Sequence, residues 1–359
     1  MPEIRVALVG VGNSASALIQ GTQYYKDAKE NTTVPGLMHV NYGGYHIRDI
    51  RFVAAFEVNK DKIGKDLSEA IFTKPNCCVK FADVPHLGVK VSPAPILDGV
   101  AEHMRQTFNV YDDSGYDKAN VVKVLKEVKA QVLVNYLPVG SRDATRFYAQ
   151  CAMDAGCAFV NCMPEFIGSN LEWAKKFEAA GLPVLGDDIK SQVGATILHR
   201  SLVRLCLDRG AIVDETYQLN LGGDTDFLNM TVEDRLKTKR ISKTEAVTSL
   251  VPYDLPTRIG PSDYVGFLQN KKICYISLKG RKFGDRPINI SVKLEVEDSP
   301  NSAGVVIDLI RAAKIALDRK IAGALLSMPS YAFKHPPIQV PDPEARQWTE
   351  DWIAGKRER

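Results

Sequence analysis

The stretch IRVALVGVGNSASALIQG, residues 4–21, predicts the fold of the first half of the chain. Residues 4–10 form a continuous apolar run that ends in glycine, as expected of a buried parallel strand, and a helical pattern follows. Gly10, Gly12 and Ala15 have the spacing G-x-G-x-x-G/A. The first glycine permits a tight turn, the second lets the backbone approach a pyrophosphate, and the small third residue allows close helix packing. The turn therefore predicts dinucleotide binding, and a glycine-rich turn without a ligand is the alternative.

An acidic residue that holds the adenosine ribose normally follows such a turn by about 20 residues, at the end of the second strand. Here the candidate is Glu57, 42 residues after Ala15, because the segment NTTVPGLMHVNYGGYHIRD is inserted before that strand. Asp66 is a second candidate. An acid at this place favours NAD over NADP.

Outward from the turn, strand and helix patterns alternate. Further apolar runs occupy residues 50–58, 130–138, 157–164 and 182–188. Helical patterns between them cover 121–130 and 172–181. This alternation predicts an α/β fold with a Rossmann-type, doubly wound parallel sheet.

A different pattern begins near residue 213. Apolar and polar residues alternate along 215–223, 272–280 and 288–297, which is typical of a sheet with one exposed face. The helical period returns at 305–320, and a proline-rich tail follows that we expect to be irregular. We therefore predict a second α/β domain.

Composition and charge exclude several classes of function. The 359 residues include 46 Lys or Arg against 43 Asp or Glu, a balance that argues against nucleic-acid binding. No run approaches the roughly 18 apolar residues of a membrane span, and the chain enters a strand pattern without a signal-peptide layout. We expect no membrane association and a cytoplasmic location. Seven cysteines without zinc-site spacing predict no structural metal site.

The segment KTKRISK, residues 237–243, concentrates positive charge with no acid among it. Lys239 and Lys243 are four residues apart and would share one face of a helix. Three interpretations of the segment are possible: a solvated helix face, a nucleic-acid-binding surface, or a site for a small anion. None of the six histidines stands in a recognisable catalytic context, so lysines and carboxylates are the candidate catalytic groups.

Seven motifs, in this order along the chain, resemble inositol-1-phosphate synthase of the bacterial and archaeal type. They are VGVGNSASALIQG, VPGLMHV, GDDIKSQVGAT, LNLGGDTDFLNM, KRISKTEAV, GPSDYVGFL and DSPNSAGVVID. The resemblance covers nearly the whole chain. It implies conversion of D-glucose 6-phosphate to 1D-myo-inositol 3-phosphate (1L-myo-inositol 1-phosphate), the first step of inositol and inositol phospholipid biosynthesis. It also implies NAD, used and regenerated in each turnover, and a homotetramer.

The chemistry of that family explains why its site contains lysines. Oxidation at C5 makes the C6 proton acidic, the resulting enolate attacks the C1 aldehyde, and the C5 ketone is then reduced. Negative charge develops on oxygen at each stage, beside a dianionic phosphate, and preorganised cations stabilise it better than water does. Clustering and burial can also lower the pKa of a lysine so that it acts as acid or base.

Carried over motif by motif, the resemblance assigns two sets of site residues. The catalytic set is Lys239, Lys243, Lys272, Lys334, Asp188, Asp226 and Asn220. The cofactor-binding set is Gly10, Gly12, Asn13, Ser14, Ala15, Glu57, Asp66 and Ser191. By analogy, Lys239 would take the proton of the C5 hydroxyl and Lys334 would hold the C5 oxygen. Lys243 and Lys272 would steady the phosphate and the C1 oxygen.

One position departs from the family pattern. The family often has an aspartate two residues before the third lysine, where this chain has Asn270, so Lys271 stays an alternative to Lys272. A divalent or monovalent cation is a candidate second cofactor, although the sequence shows no ligand set for it.

The resemblance also implies a division into domains. Residues 1–192 plus 298–359 would form the NAD-binding domain, and 193–297 the catalytic and tetramerisation domain. Two rival functions stay open at this point. A net NAD dehydrogenase would accumulate NADH, and a non-catalytic sensor of NAD or a sugar phosphate would not need four convergent lysines.

Overall fold

The computed structural model describes residues 2–112 and 116–359, which form two principal sheets with helices around them. The strands are β1 (Ile4–Val9), β2 (Asn41–Tyr42), β3 (Tyr45–His46), β4 (Ile50–Glu57), β5 (Val91–Pro93), β6 (Val132–Asn135), β7 (Ala158–Asn161), β8 (Pro183–Leu185), β9 (Ile212–Gly222), β10 (Thr257–Tyr264), β11 (Lys271–Lys282), β12 (Arg286–Glu297) and β13 (Gly323–Ala324). The α-helices are α1 (Asn13–Tyr24), α2 (Leu67–Ala70), α3 (Lys118–Glu127), α4 (Arg142–Ala155), α5 (Leu171–Ala179), α6 (Ala195–Asp208), α7 (Thr225–Asn229), α8 (Lys237–Thr248), α9 (Asp298–Asp318), α10 (Ser327–Ala332) and α11 (Asp342–Ile353).

Seven strands form a parallel sheet in the order β13-β8-β7-β6-β1-β4-β5. Counted along the chain, its first six strands stand in the Rossmann order 3-2-1-4-5-6, with β13 added at one edge. The order reverses between β1 and β6. The carboxyl ends of these two strands therefore form the crevice in which doubly wound folds bind their ligands. The predicted Rossmann-type α/β fold is confirmed.

Helices cover both faces of this sheet, which explains the continuous apolar runs of its strands. Val6 and Leu8 of β1 pack in one core with α1 and α9. Ala7 and Val9 point the other way and pack in a second core with α3, α4 and α5. Helix α9 comes from the C-terminal part of the chain, so that part completes the Rossmann layer.

The second sheet has the order β10-β9-β11-β12, with β9 parallel to β10 and the other pairs antiparallel. Helices α6 and α8 share a core with one of its faces. The opposite face exposes large apolar side chains, namely Tyr217, Leu219 and Tyr275. This arrangement produces the period-2 pattern of the sequence.

Two sequence predictions about element boundaries were wrong. The apolar run at 182–188 gives only a three-residue strand, β8, because the chain turns away from the sheet after Leu185. The tail beyond residue 320 is not irregular, because it contains β13, α10 and α11. Helix α11 begins with Asp342, Pro343 and Glu344, which suit the first turn of a helix even in a proline-rich segment.

The strands of the seven-stranded sheet come from the segments predicted for the NAD-binding domain, and those of the four-stranded sheet from 193–297. The roles given to the two segments stay a prediction. Among the described residues, no helix is both long and apolar enough to cross a membrane.

Candidate active site

The glycine turn after β1 has the geometry of a phosphate site. Gly10 has φ +86°, and a Cβ there would lie 2.7 Å from the carbonyl oxygen of Tyr136. A Cβ on Gly12 would meet no protein atom within 4 Å, although Gly12 lines a cleft. Helix α1 begins after Gly12 with no capping side chain and no acid in its first turn. The turn thus leaves room and backbone N–H groups for an anion.

The residues that follow Gly12 lie where a dinucleotide-binding turn requires them. Asn13 Oδ1 accepts hydrogen bonds from the backbone N–H groups of Cys77 (2.7 Å) and Cys78 (3.0 Å), which fixes the first residue of α1. Ser14 lines the cleft, and Ala15 is buried in the core that includes α9. Ser191, from the loop after β8, lines the same cleft.

The two acidic candidates for the ribose have different surroundings. Glu57 ends β4, accepts a hydrogen bond from Val11 N–H at 3.0 Å, and lines a cavity that adjoins the glycine turn. Asp66 instead caps α2 and accepts from the N–H groups of Ser68 and Val89. The structure therefore brings Glu57, and not Asp66, to the turn.

The four predicted lysines meet in the cleft that begins at the glycine turn. Lys239 and Lys243 come from α8, Lys272 from β11, and Lys334 from the segment after α10. All four line one cleft together with Gly12. The Rossmann turn and the lysine cluster thus belong to a single cleft.

A buried carboxylate organises two of these lysines. Asp188 is fully buried at φ +62°, and its Oδ1 accepts from Lys239 Nζ at 2.8 Å and Lys334 Nζ at 2.9 Å. Ser242 Oγ donates to its other oxygen. Burial alone would raise the pKa of Asp188, but the two ammonium groups lower it well below its ordinary value. Asp188 therefore stays an anion and holds both lysines in place.

The lysines differ in their electrostatic surroundings. Burial is the main cause that lowers the pKa of Lys334 to about 8. Lys239 and Lys272 also lower this pKa, whereas Asp188 raises it. Burial and three neighbouring lysines lower the pKa of Lys243 well below its usual range. In the described part of the chain, Lys243 makes no ion pair. Lys334 can therefore change protonation state near neutral pH, as an acid or base must.

Lys272 has an acidic partner that sequence analysis missed. Its Nζ lies 3.1 Å from Asp298 Oδ1 at the start of α9. Burial opposes its charge, but Asp298 outweighs that effect and raises the pKa of Lys272. Lys271 is exposed to solvent, so the structure brings Lys272 to the cleft.

Two further carboxylates, Asp224 and Asp226, line the same cleft. Burial raises the pKa of Asp226, and burial together with Asp226 and Asp298 raises that of Asp224 to about 7. Asp224 caps α7 and accepts from Asn270 Nδ2 at 3.2 Å. Asn270, the position that departs from the family pattern, thus supports the cleft through Asp224.

Asn220 does not reach the cleft. Its side chain lies within the second sheet, where Nδ2 donates to the carbonyl of Gly260 at 2.8 Å and Oδ1 accepts from Gln218 at 3.1 Å. The structure instead adds residues that the sequence analysis did not assign, namely Asp224, Asp298, Ser299 and Ser302. Asp298, Ser299 and Ser302 lie in the motif DSPNSAG, so this motif could have indicated them from the sequence.

Comparison with known proteins gives consistent results. The family described as myo-inositol-1-phosphate synthase matches residues 194–299. The chain is 56% identical to inositol-3-phosphate synthase of Mycolicibacterium smegmatis and 54% identical to that of Corynebacterium glutamicum, and each match covers 98% of both chains. It shares its fold with a myo-inositol-1-phosphate synthase-related protein from Thermotoga maritima, with a TM-score of 0.82, 24% identity and coverage of 98% of each chain. The chain therefore belongs to the inositol-3-phosphate synthase family.

Proposed function

We propose that this chain converts D-glucose 6-phosphate to 1D-myo-inositol 3-phosphate with NAD as a cofactor that is restored in each turnover. One observation carries the proposal: a dinucleotide turn and four lysines arranged around buried carboxylates line the same cleft. A simple nucleotide sensor has no need for that cluster. Because Gly12 and Lys243 line one cleft, a dinucleotide bound at the turn could meet a sugar phosphate bound at the lysines.

The residues that would hold NAD are those of the turn and the end of β4. Gly12, Asn13 and Ser14 would face the pyrophosphate, and Glu57 would hold the adenosine ribose. The carboxylate of Glu57 would repel a 2′-phosphate, which favours NAD over NADP. When bound, NAD would supply oxidation of C5 and reduction of the same carbon.

Lysine side chains of the protein would transfer the protons and stabilise the negative charges. Lys239, held by Asp188, would take the proton of the C5 hydroxyl as a neutral amine, after its own ammonium proton has passed to solvent. Lys334 donates to the C5 oxygen, whose negative charge is greatest in the enolate. Lys243 and Lys272 steady the phosphate and the C1 oxygen, which becomes an alkoxide when the new ring closes.

A cation, the assembly and the location complete the proposal. A divalent or monovalent cation stays a candidate; in residues 2–112 and 116–359, no group of three or more His, Cys, Asp or Glu side chains could hold a metal. Activity after EDTA treatment and dialysis into a buffer free of alkali-metal and ammonium ions, with Mg²⁺ or K⁺ restored separately, tests the two cation types. We also propose a homotetramer that uses the exposed apolar face of the second sheet, in the cytoplasm where NAD and glucose 6-phosphate occur.

The direct test is a product assay. The chain is incubated with glucose 6-phosphate and a catalytic amount of NAD, and phosphate that periodate releases from the product is measured. We expect such phosphate to exceed the NAD added many times over, and a Lys243→Ala variant to give almost none. No release by the unaltered chain, with or without added cations, would contradict the proposed function.

A further inference from the structure

A buried lysine outside the catalytic cluster lies against the glycine turn. Lys62 is only 3% exposed, and its Nζ donates to the carbonyl oxygen of Val11 at 2.8 Å and to Asn76 Oδ1 at 2.9 Å. It also lies 3.7 Å from Glu57 Oε2. Lys62 lines the cavity that Glu57 and Gly12 share. A buried ammonium group is costly unless such partners compensate it.

These contacts hold the peptide groups of Val11 from two sides. The Val11 N–H donates to Glu57 at 3.0 Å, and the Val11 carbonyl accepts from both Lys62 and Asn76, the latter at 3.0 Å. A planar trans peptide points its C=O and N–H in opposite directions. With the Val11 carbonyl directed at Lys62, the N–H of Gly12 must point away from Lys62.

Backbone N–H groups and Lys62 also orient the carboxylate of Glu57. Glu57 uses one carboxylate oxygen for the Val11 N–H and the other for the backbone N–H groups of Val58 (2.8 Å) and Asn59 (3.2 Å). Lys62 is the cation beside this carboxylate. The charge of Lys62 thus balances Glu57 while its hydrogen bond fixes the turn.

We propose that Lys62 is a positioning residue for the dinucleotide: it joins the Val11 carbonyl and the Glu57 carboxylate into one rigid unit that presents the Gly12 N–H to the pyrophosphate. This inference rests on the proposed function, because it places NAD at the turn. Preorganisation of this kind increases affinity because the free protein already holds the binding geometry.

The test is NAD binding by calorimetry to nucleotide-free protein, with the melting temperature of each variant as a check on folding. Lys62→Met should weaken NAD binding by about tenfold or more, the scale for losing a charge-assisted hydrogen bond. Lys65→Met is the matched control, since Lys65 is an exposed lysine of the same segment whose Nζ contacts Thr73. It should bind NAD as the unaltered chain does.

Two further variants keep the test decisive. Asn76→Leu removes the other donor to the Val11 carbonyl and should also weaken NAD binding, even if Lys62→Met does not fold. In a Glu57→Gln background, Lys62→Met should cost much less affinity than it costs alone, because the two residues act as one unit. Equal affinity of Lys62→Met and Lys65→Met, or strictly additive losses in the double variant, would overturn the inference. Absence of NAD binding by the unaltered chain would instead remove the proposed function, and the inference with it.

Discussion

Two ammonium groups of the cleft share the carboxylate of Asp188, which is fully buried. Lys239 contributes one of them, and its side chain is 12% exposed, whereas that of Lys237 is 76% exposed and pairs with Asp234. Lys239→Ala should therefore reduce turnover by roughly 100-fold or more, the scale for removing a positioned acid, base or oxyanion partner.

The same substitution at Lys237 is the internal control. Lys237→Ala should leave turnover unchanged and alter the free energy of unfolding by less than about 0.5 kcal/mol. Steady-state kinetics with melting curves measures both variants. Equal losses would mean that the segment acts only through general positive charge, and the specific role of Lys239 would be withdrawn.

The protonation of Lys334 gives a second prediction at the residue scale. Its pKa is lowered to about 8, so the ammonium that would hold the C5 oxygen is lost as pH rises through that value. Turnover should decline above pH about 8 for this reason. Lys334→Arg keeps its charge at that pH, so its turnover, although lower, should not decline there. A decline at the same pH in both proteins would assign it to another group.

Where a motif singled out one position, the structure in most cases brings that residue to the cleft or against its lysines. This holds for the four lysines, Gly12 and Asp188, but not for Asn220, and the roles assigned to all of them stay predictions. Asp298 was missed and Asp224 was left unassigned, because an aspartate at a helix start is usually only a cap. What distinguishes these two is burial near other charges, and burial is a property of the folded chain.

At the scale of elements, the β1–α1 turn makes a prediction that separates binding from folding. Gly12→Val should abolish NAD binding, because its side chain would fill the space left for phosphate oxygens, while changing stability by less than about 0.5 kcal/mol. Gly10→Val should instead destabilise the fold by roughly 2 kcal/mol or more, because its φ is strained for any side chain and its Cβ would press on Tyr136. Calorimetry and thermal melts distinguish the two. Unchanged NAD affinity in Gly12→Val would remove the cofactor assignment of this turn.

Elements with a strong period were predicted well, and those with mixed signals were not. Helix α8 places Lys239 and Lys243 on one face, as their spacing indicated. Helix α11 was missed because its prolines suggested a loop, although Pro343 lies in the first turn, where proline is tolerated. Strand β13 is two residues long and forms by pairing with β8 at the edge of the sheet. No local sequence pattern predicts a strand of this kind.

At the scale of the molecule, the site exists only because distant segments meet. Asp188 and Lys334 are 146 residues apart, and Asp188 and Lys239 are 51 apart. Local patterns cannot show such pairs, so the cluster was predicted through family resemblance. The fold class, by contrast, follows from the alternation of strand and helix patterns, and each of these patterns is local in the sequence.

The proposed homotetramer predicts an effect of surface charge on assembly. Leu219 and Tyr275 are opposite each other in register on the exposed face of the second sheet. Leu219→Glu should dissociate the assembly, because an interface would bury the new charge. Leu171→Glu, the same change at an exposed position on α5, should not. Sedimentation velocity measures both, and a monomeric unaltered chain would contradict the proposed assembly.

The central claim is that C5 is oxidised and reduced within one cleft, without net redox change. The most direct measurement follows glucose 6-phosphate deuterated at C5, with NAD far below stoichiometric amounts, by mass spectrometry of the product and by the absorbance of NADH. The account predicts that deuterium remains on the corresponding carbon of the inositol phosphate and that NADH does not accumulate. Washout of the deuterium, or NADH that grows in step with product, would show a released reduced cofactor and a net dehydrogenase.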